Sequence, residues 1–265
     1  VEEDPETWKK WMDEVREKYG HGKYSLPESK EKATPFERIA FHSWLLDRYN
    51  KHLAEVSKAL RKIKPDVKIV SDIEVNGMFP MGYERAVGTY DIITQQMLYG
   101  CGSFRQEAAF ATKLAGDLAE TPVWAGPHVE HYFVSLTPEE VNEVLSSTFR
   151  VGGESLYLWL IDWFGLTQSD NYGAPKRFHE VMNVYERIGD MRRLKFPKPD
   201  GAILFSNINQ FGEYWWDQAG RDHEVAFTMI GPRARSWFQF VSDYQILDKR
   251  RKLSDYKVLY VPRAK

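Results

Sequence analysis

Apolar and polar positions follow two different periods along this chain. Between Thr34 and Pro65, Ile39, Leu46, Tyr49, Leu53, Val56, Leu60 and Ile63 recur at intervals close to a helical repeat. That spacing predicts one apolar face of a long helix. Thr34-Pro35-Phe36-Glu37 opens it. Threonine is the N-cap, proline fills the first turn where its missing N–H costs nothing, and glutamate closes a capping box. A shorter helix is predicted over residues 7–18, followed by an exposed connection through Gly20, Gly22 and Pro27.

Beyond Pro65 the pattern changes to short apolar runs separated by helical stretches. Strands are predicted at 67–70, ending at Ser71-Asp72, and at 91–94, 122–125 and 156–161. A helix starting at Ser103 carries Ala108, Ala111, Leu114 and Leu118. Thr137-Pro138-Glu139-Glu140 repeats the capping box, with Val141, Val144, Leu145 and Phe149 facing inward. A last helix passes through Phe178, Val181, Tyr185, Ile188 and Arg192. Strands alternating with helices imply βαβ units and a parallel sheet, so the fold class is α/β. Short apolar runs suit strands covered on both faces.

The composition shifts at residues 195–200, where Pro197 and Pro199 mark a linker. Ala202-Ile203-Leu204-Phe205 is a new strand, 237–241 reads as a helix end or a strand, and 257–261 is another strand. Two domains are therefore expected, 1–195 and 196–265. A strand ending four residues before Lys265 leaves the second sheet without its further partners.

Composition narrows the class. A chain of 265 residues, 43% apolar and 28% charged, has globular values. Lys and Arg number 36 against 38 Asp and Glu, so no basic excess attracts nucleic acid or anionic lipid. A single cysteine, Cys101, excludes an internal disulfide and a cysteine-built zinc cluster. The longest clean apolar run, 156–161, falls far short of the roughly 20 residues of a membrane span. Residues 1–7 are acidic and do not read as a signal peptide, and the compartment, cytoplasmic or secreted, stays open. Aromatic residues reach 14%, with 9 Trp, which fits a protein that stacks on flat ligand faces such as those of sugars.

Candidate chemistry concentrates where the third strand ends. Residues 122–132 run from a buried strand into His128, Glu130, His131 and Tyr132, just before a well-capped helix. In parallel α/β folds, side chains at strand carboxyl ends meet in the active site. Glu130 is therefore a candidate nucleophile or general acid, with His128 and Tyr132 spaced to lend it hydrogen bonds. The alternative is a surface carboxylate. Asp72 and Asp162 follow the first and fourth strands, and a carboxylate can accept two hydrogen bonds from a diol. Trp163 lies just past the fourth strand and suits a sugar subsite; Trp124 is a second candidate, and Trp159 sits within an apolar run that suits the core. Trp215-Trp216, in the second region, suits packing or an interface. His128, His131 and Asp162 also permit a metal-dependent hydrolase, although the spacing is not that of the two-histidine helical motif.

Residues 122–132, the capped turn 137–140 and Gly152-Gly153-Glu154-Ser155-Leu156-Tyr157-Leu158-Trp159 resemble clan A glycoside hydrolases with TIM barrels, in particular those related to family 42 β-galactosidases. The resemblance covers most of residues 35–265. It implies that the third strand here is the seventh of a barrel and that Glu130 is the nucleophile. It further implies a retaining hydrolase of β-linked, galactoside-like saccharides that needs no cofactor. Residues 202–262 resemble the opening of the flavodoxin-like domain that follows such barrels. Two departures stand out. Only four βα units are present where a barrel needs eight, so the chain reads as a carboxyl-terminal half-barrel completed by further segments or by another copy. The Asn-Glu pair that carries the acid/base is missing, which raises Glu2 or Glu3 from tail residues to candidates. A non-catalytic sugar-binding or structural barrel remains the rival outside enzymes.

Overall fold

The computed structural model describes residues 5–19, 32, 34–74, 82–97, 107–127, 130–131, 134–135, 137–157, 179, 182–187, 194–207 and 219–262. Helices α1 (Pro5–Tyr19) and α2 (Pro35–Ile63) come first. They meet through Trp11 and Phe41, both buried, with their rings edge to face at 5.4 Å. Glu14 of α1 accepts hydrogen bonds from Trp44 Nε1 at 2.5 Å and from Arg48 at 2.6 Å. The Trp44 bond, with Arg48 beside it, holds its carboxyl below the ordinary range.

The capping box at Thr34 forms as expected: Glu37 N donates to Thr34 Oγ1, and Glu37 accepts from Thr34 N. The apolar stripe of α2 faces inward only in part, with Leu46 buried and Ile39 and Leu53 half-buried. Tyr49, Val56, Leu60 and Ile63 are exposed, Ile63 at 84%. The buried side runs instead through Leu46, Asn50 and Ser57, with Arg61 a turn further on. Ser57 Oγ donates to Thr89 O at 2.9 Å, and Arg61 reaches Asp91 at 3.1 Å. Hydrogen bonds to the 88–91 turn set the rotation of this half of α2, and its Val56, Leu60 and Ile63 face outward.

The first sheet comprises β1 (Val70–Glu74), β2 (Ile92–Met97) and β3 (Val123–Pro127), with helix α3 (Glu107–Ala119) between the last two. A two-residue hairpin, β4 (Glu130–His131) and β5 (Val134–Ser135), leads to α4 (Pro138–Arg150), whose Thr137 and Glu140 form the expected capping box. β6 (Ser155–Leu156) completes a parallel sheet in the order β1-β2-β3-β6. The fourth predicted strand is described only over this start, since residues 158–178 lie outside the described set, as does Ser103. Residues 182–187 are helical.

The first strand begins three residues later than expected. Val67 N closes a turn onto Lys64 O, and Asp91 captures Ile69 N at 2.9 Å, so the apolar run 67–69 is an entry turn. That main-chain bond, followed by the one from Arg61, holds the Asp91 carboxyl low.

After the linker, β7 (Gly201–Phe205), α5 (Ala219–Thr228), β8 (Phe238–Ser242), α6 (Asp243–Leu247) and β9 (Val258–Tyr260) follow, α5 ending in a π-helical turn. This second sheet is parallel, in the order β8-β7-β9. The choice left open at 237–241 resolves as a strand.

Helix α3 lies between the two sheets. Ala108, Phe110, Ala111, Leu114, Ala115, Leu118 and Ala119 are all buried, a helix apolar on nearly every side. Its inner side packs with Ile93, Val123, Val144 and Leu145, and its outer side carries Phe110 against Phe227 and Phe240. Lys113 and Asp117 are its only charged residues after Glu107, and they pair at 2.9 Å. Asp117 also accepts from Phe240 N at 2.8 Å, which satisfies an outward amide of edge strand β8. Lys113 Nζ lies 4.3 Å from the centre of the Trp237 ring. Burial pushes the Asp117 carboxyl up, against the pull of Lys113. Gln245 Nε2, at the start of α6, donates to the final carbonyls of α3, Asp117 O and Leu118 O.

Asp117→Ala strips Lys113 and the Phe240 N–H of their partner at once. It is expected to cost about 3–5 kcal/mol, the range for orphaning one member of a buried pair. Urea unfolding measures it, and a loss below about 1 kcal/mol would show the pair to be peripheral.

Candidate active site at the carboxyl end of the first sheet

Register brings the strand ends level. Glu74 stands opposite Gln96, and Gln96 opposite Gly126. Strand residues alternate between faces, so the two faces of the sheet can be assigned. Ile93 and Val123 pack with α3, and Gln95 Oε1 accepts from Thr112 Oγ1 of α3 at 3.1 Å. The opposite face holds Thr94 and the half-buried Trp124. Register positions Asp72, Glu74 and Gln96 belong to that same face. Among the described side chains, the face away from the helices carries Thr94 and Trp124, whereas the helix-covered face is mostly apolar.

Asp72 is not beyond its strand. It is the third residue of β1, opposite Thr94, because the strand starts at Val70 and runs to Glu74. Glu74 occupies the carboxyl end instead. The signal was present in Ser71-Asp72-Ile73-Glu74, where two carboxylates fall two apart on one face of an extended strand. The apolar run before it drew the strand too early.

Glu130 lies three residues past Pro127, the last residue of β3. It opens β4 and pairs with Ser135, while His131 pairs with Val134. The chain therefore doubles back at the carboxyl end of β3 before entering α4. Glu130 has its backbone on the end of the sheet where β1, β2 and β3 terminate. Glu2, His128, Tyr132, Asp162 and Trp163, the other candidates, lie outside the described residues, as do Trp159, Trp215 and Trp216. Among the described residues no group of three or more His, Cys, Asp or Glu is placed to hold a metal ion, and no helix is long and apolar enough to cross a membrane.

Gly126 lets the strand ends close up. Tyr157 N donates to Ala125 O at 2.8 Å, continuing the pairing of β6 with β3. A Cβ on Gly126 would lie 2.8 Å from Gln95 O and 3.1 Å from Tyr157 O.

The parallel sheet with its helices shares its fold with part of the TIM barrels of its structural neighbours. Its structural neighbours are glycoside hydrolases of family 42 and of clan A. The β-galactosidase from Bacillus circulans sp. alkalophilus superposes with a TM-score of 0.66 at 10% identity, over 96% of this chain and 44% of that one. A GH42 β-galactosidase from G. stearothermophilus gives 0.67 at 10% identity, over 96% of this chain and 44% of that one. A GH5_18 protein from Streptomyces cattleya, in complex with GlcNAc, gives 0.51 at 14% identity, over 91% of this chain and 63% of that one. The chain thus spans less than half the length of the β-galactosidases it matches. No protein-family model matches the sequence, and no curated protein matches it either.

Gly126→Ala forces its new methyl against two backbone oxygens that cannot swing aside. The expected cost is about 1–3 kcal/mol, together with faster amide exchange at Tyr157. Thermal unfolding and hydrogen exchange measure it; an unchanged melting point would show that the strand ends have slack.

Proposed function

We propose that this chain carries part of the active site of a retaining glycoside hydrolase acting on a β-linked, galactoside-like saccharide. The single observation that supports this most is the position of Glu130. It lies just past the carboxyl end of β3, in a partial barrel whose fold is shared with β-galactosidases over 96% of its length. The site would have two carboxylates about 5–5.5 Å apart, as retention requires.

In this reading the Glu130 carboxylate attacks the anomeric carbon while the bond to the leaving oxygen breaks. The acid/base, Glu2 or a carboxylate outside this chain, protonates that oxygen. It then takes a proton from water as water displaces Glu130 and releases the sugar with retained configuration. His128 and Tyr132 donate hydrogen bonds to the Glu130 carboxylate, Asp72 and Asp162 hold sugar hydroxyls, and Trp163 lies beneath a ring. No cofactor enters. Four further βα units close the barrel, from the same polypeptide or from another copy. Residues 1–195 form the catalytic part and 196–265 the start of a flavodoxin-like unit, a reading supported by the segment 194–199 without helix or strand and the new parallel sheet after it.

The test is turnover of an aryl β-galactoside by the complete protein. Glu130→Ala is expected to lower kcat at least ~10³-fold with the fold intact, since a covalent catalyst is lost. Azide should partly rescue Glu130→Gly and yield a glycosyl azide of inverted configuration, because one displacement replaces two. A Glu130→Ala variant keeping more than about a tenth of wild-type kcat, a barrier change under about 1.4 kcal/mol, overturns the nucleophile assignment. Sugar binding without turnover by the wild type favours a non-catalytic barrel.

A further inference from the structure

A second cluster of carboxylates lies away from this site, at the junction of the two sheets. Glu84 stands in the 3₁₀ turn Tyr83–Arg85, in the connection between β1 and β2, and is 2% exposed. Across the junction, Asn207 follows β7 and Asp243 follows β8. Asn207, fully buried, spends its side-chain amide on both carboxylates: Nδ2 donates to Glu84 Oε1 at 2.6 Å and to Asp243 Oδ1 at 2.9 Å. Glu84 Oε2 and Asn207 Oδ1 are buried with no hydrogen-bond partner among the described residues. Arg250 does not reach the Glu84 carboxylate. Its Nη2 donates to Glu84 O at 2.7 Å, and its Nη1 goes to Glu120 at 3.2 Å.

Two carboxylates bridged by one neutral amide, one of them with an oxygen that no described residue pairs and no described cation on its carboxylate, cannot both ionise cheaply. We propose that Glu84 is a proton-operated clamp, closed when its carboxyl is neutral, that ties the carboxyl ends of β7 and β8 to the connection between β1 and β2. The groups facing it from the packed elements are few. Tyr83 beside it is buried, Asp243 opposes its charge from α6, and Arg250 favours its charge from beyond α6. Arg85 is turned elsewhere, to Asp47 and the Tyr244 ring. Burial dominates and pushes the Glu84 carboxyl from 4.5 up to about 7, with its own backbone N–H, Asn207 and Arg250 opposing the shift and Asp243 adding to it.

The sign follows from linkage. Between about pH 4.5 and pH 7 the closed state binds a proton that an open, solvated Glu84 lacks. The clamp is at full strength below that window and weakens as pH rises through it, by up to about tenfold in the open-to-closed ratio per pH unit. Above pH 7 the loss is complete and the ratio levels off.

Native-state hydrogen exchange on the full chain, corrected for intrinsic rates, tests this in residues 82–90 and 242–250. In the wild type, protection there should fall between pH 5 and 7 while residues of α3 hold theirs. Glu84→Gln keeps the shape and cannot ionise, so its protection should be flat with pH and exceed wild type above pH 7. Asp243→Asn removes the opposing charge and should move the wild-type transition to lower pH, which carries the test if Glu84→Gln fails to fold. A wild-type pH profile retained in Glu84→Gln, or no transition in the wild type, overturns the clamp. So does an Asp243→Asn transition that stays in place or moves to higher pH.

Discussion

The structure depends on removing helix α3 from water on two sides. Its small residues let the first sheet approach one face, and Phe110 engages Phe227 and Phe240 on the other. A helix with so little polar surface cannot carry two ionic side chains unless each is fully employed. Lys113 and Asp117 are: one neutralises the other, and Asp117 also takes the free amide of strand β8. The edge of the second sheet is thereby fixed to a helix of the first.

Local periodicity and capping made much of this fold legible. Thr34 and Thr137 announced their helices, and the short apolar runs announced β2, β3, β7 and β9, because their signals lie within a few residues. Ser242 to Gln245 carried a third capping box, which the mixed run before it obscured. The errors came where a distant partner decides. Asp91 moved the start of β1, and the 88–91 turn rotated α2 so that Asn50 and Ser57, rather than Val56 and Leu60, face inward. No window of sequence contains those bonds.

The candidate site was legible to a similar degree. The place of Glu130, just past the end of β3, follows from a rule about strand ends that needs only the position of β3. Asp72 was set at the strand end by the early start given to β1, which ends instead at Glu74. The polar face shared by positions 72, 74, 94 and 96 emerges only from the pairing of three strands separated by two crossovers. The buried cluster around Asn207 is less visible still, since its members lie 123 and 36 residues apart.

The double burial of α3 has an evolutionary corollary. Domains that recombine freely between proteins meet through polar surfaces that each can expose alone. Here the carboxyl-terminal sheet rests on aromatic and alanine side chains of a barrel helix, within one continuous core. Phe110, Lys113 and Asp117 carry the contacts that this sheet makes with the helix. Substitutions on the outer face of α3 therefore act on the packing of both sheets at once.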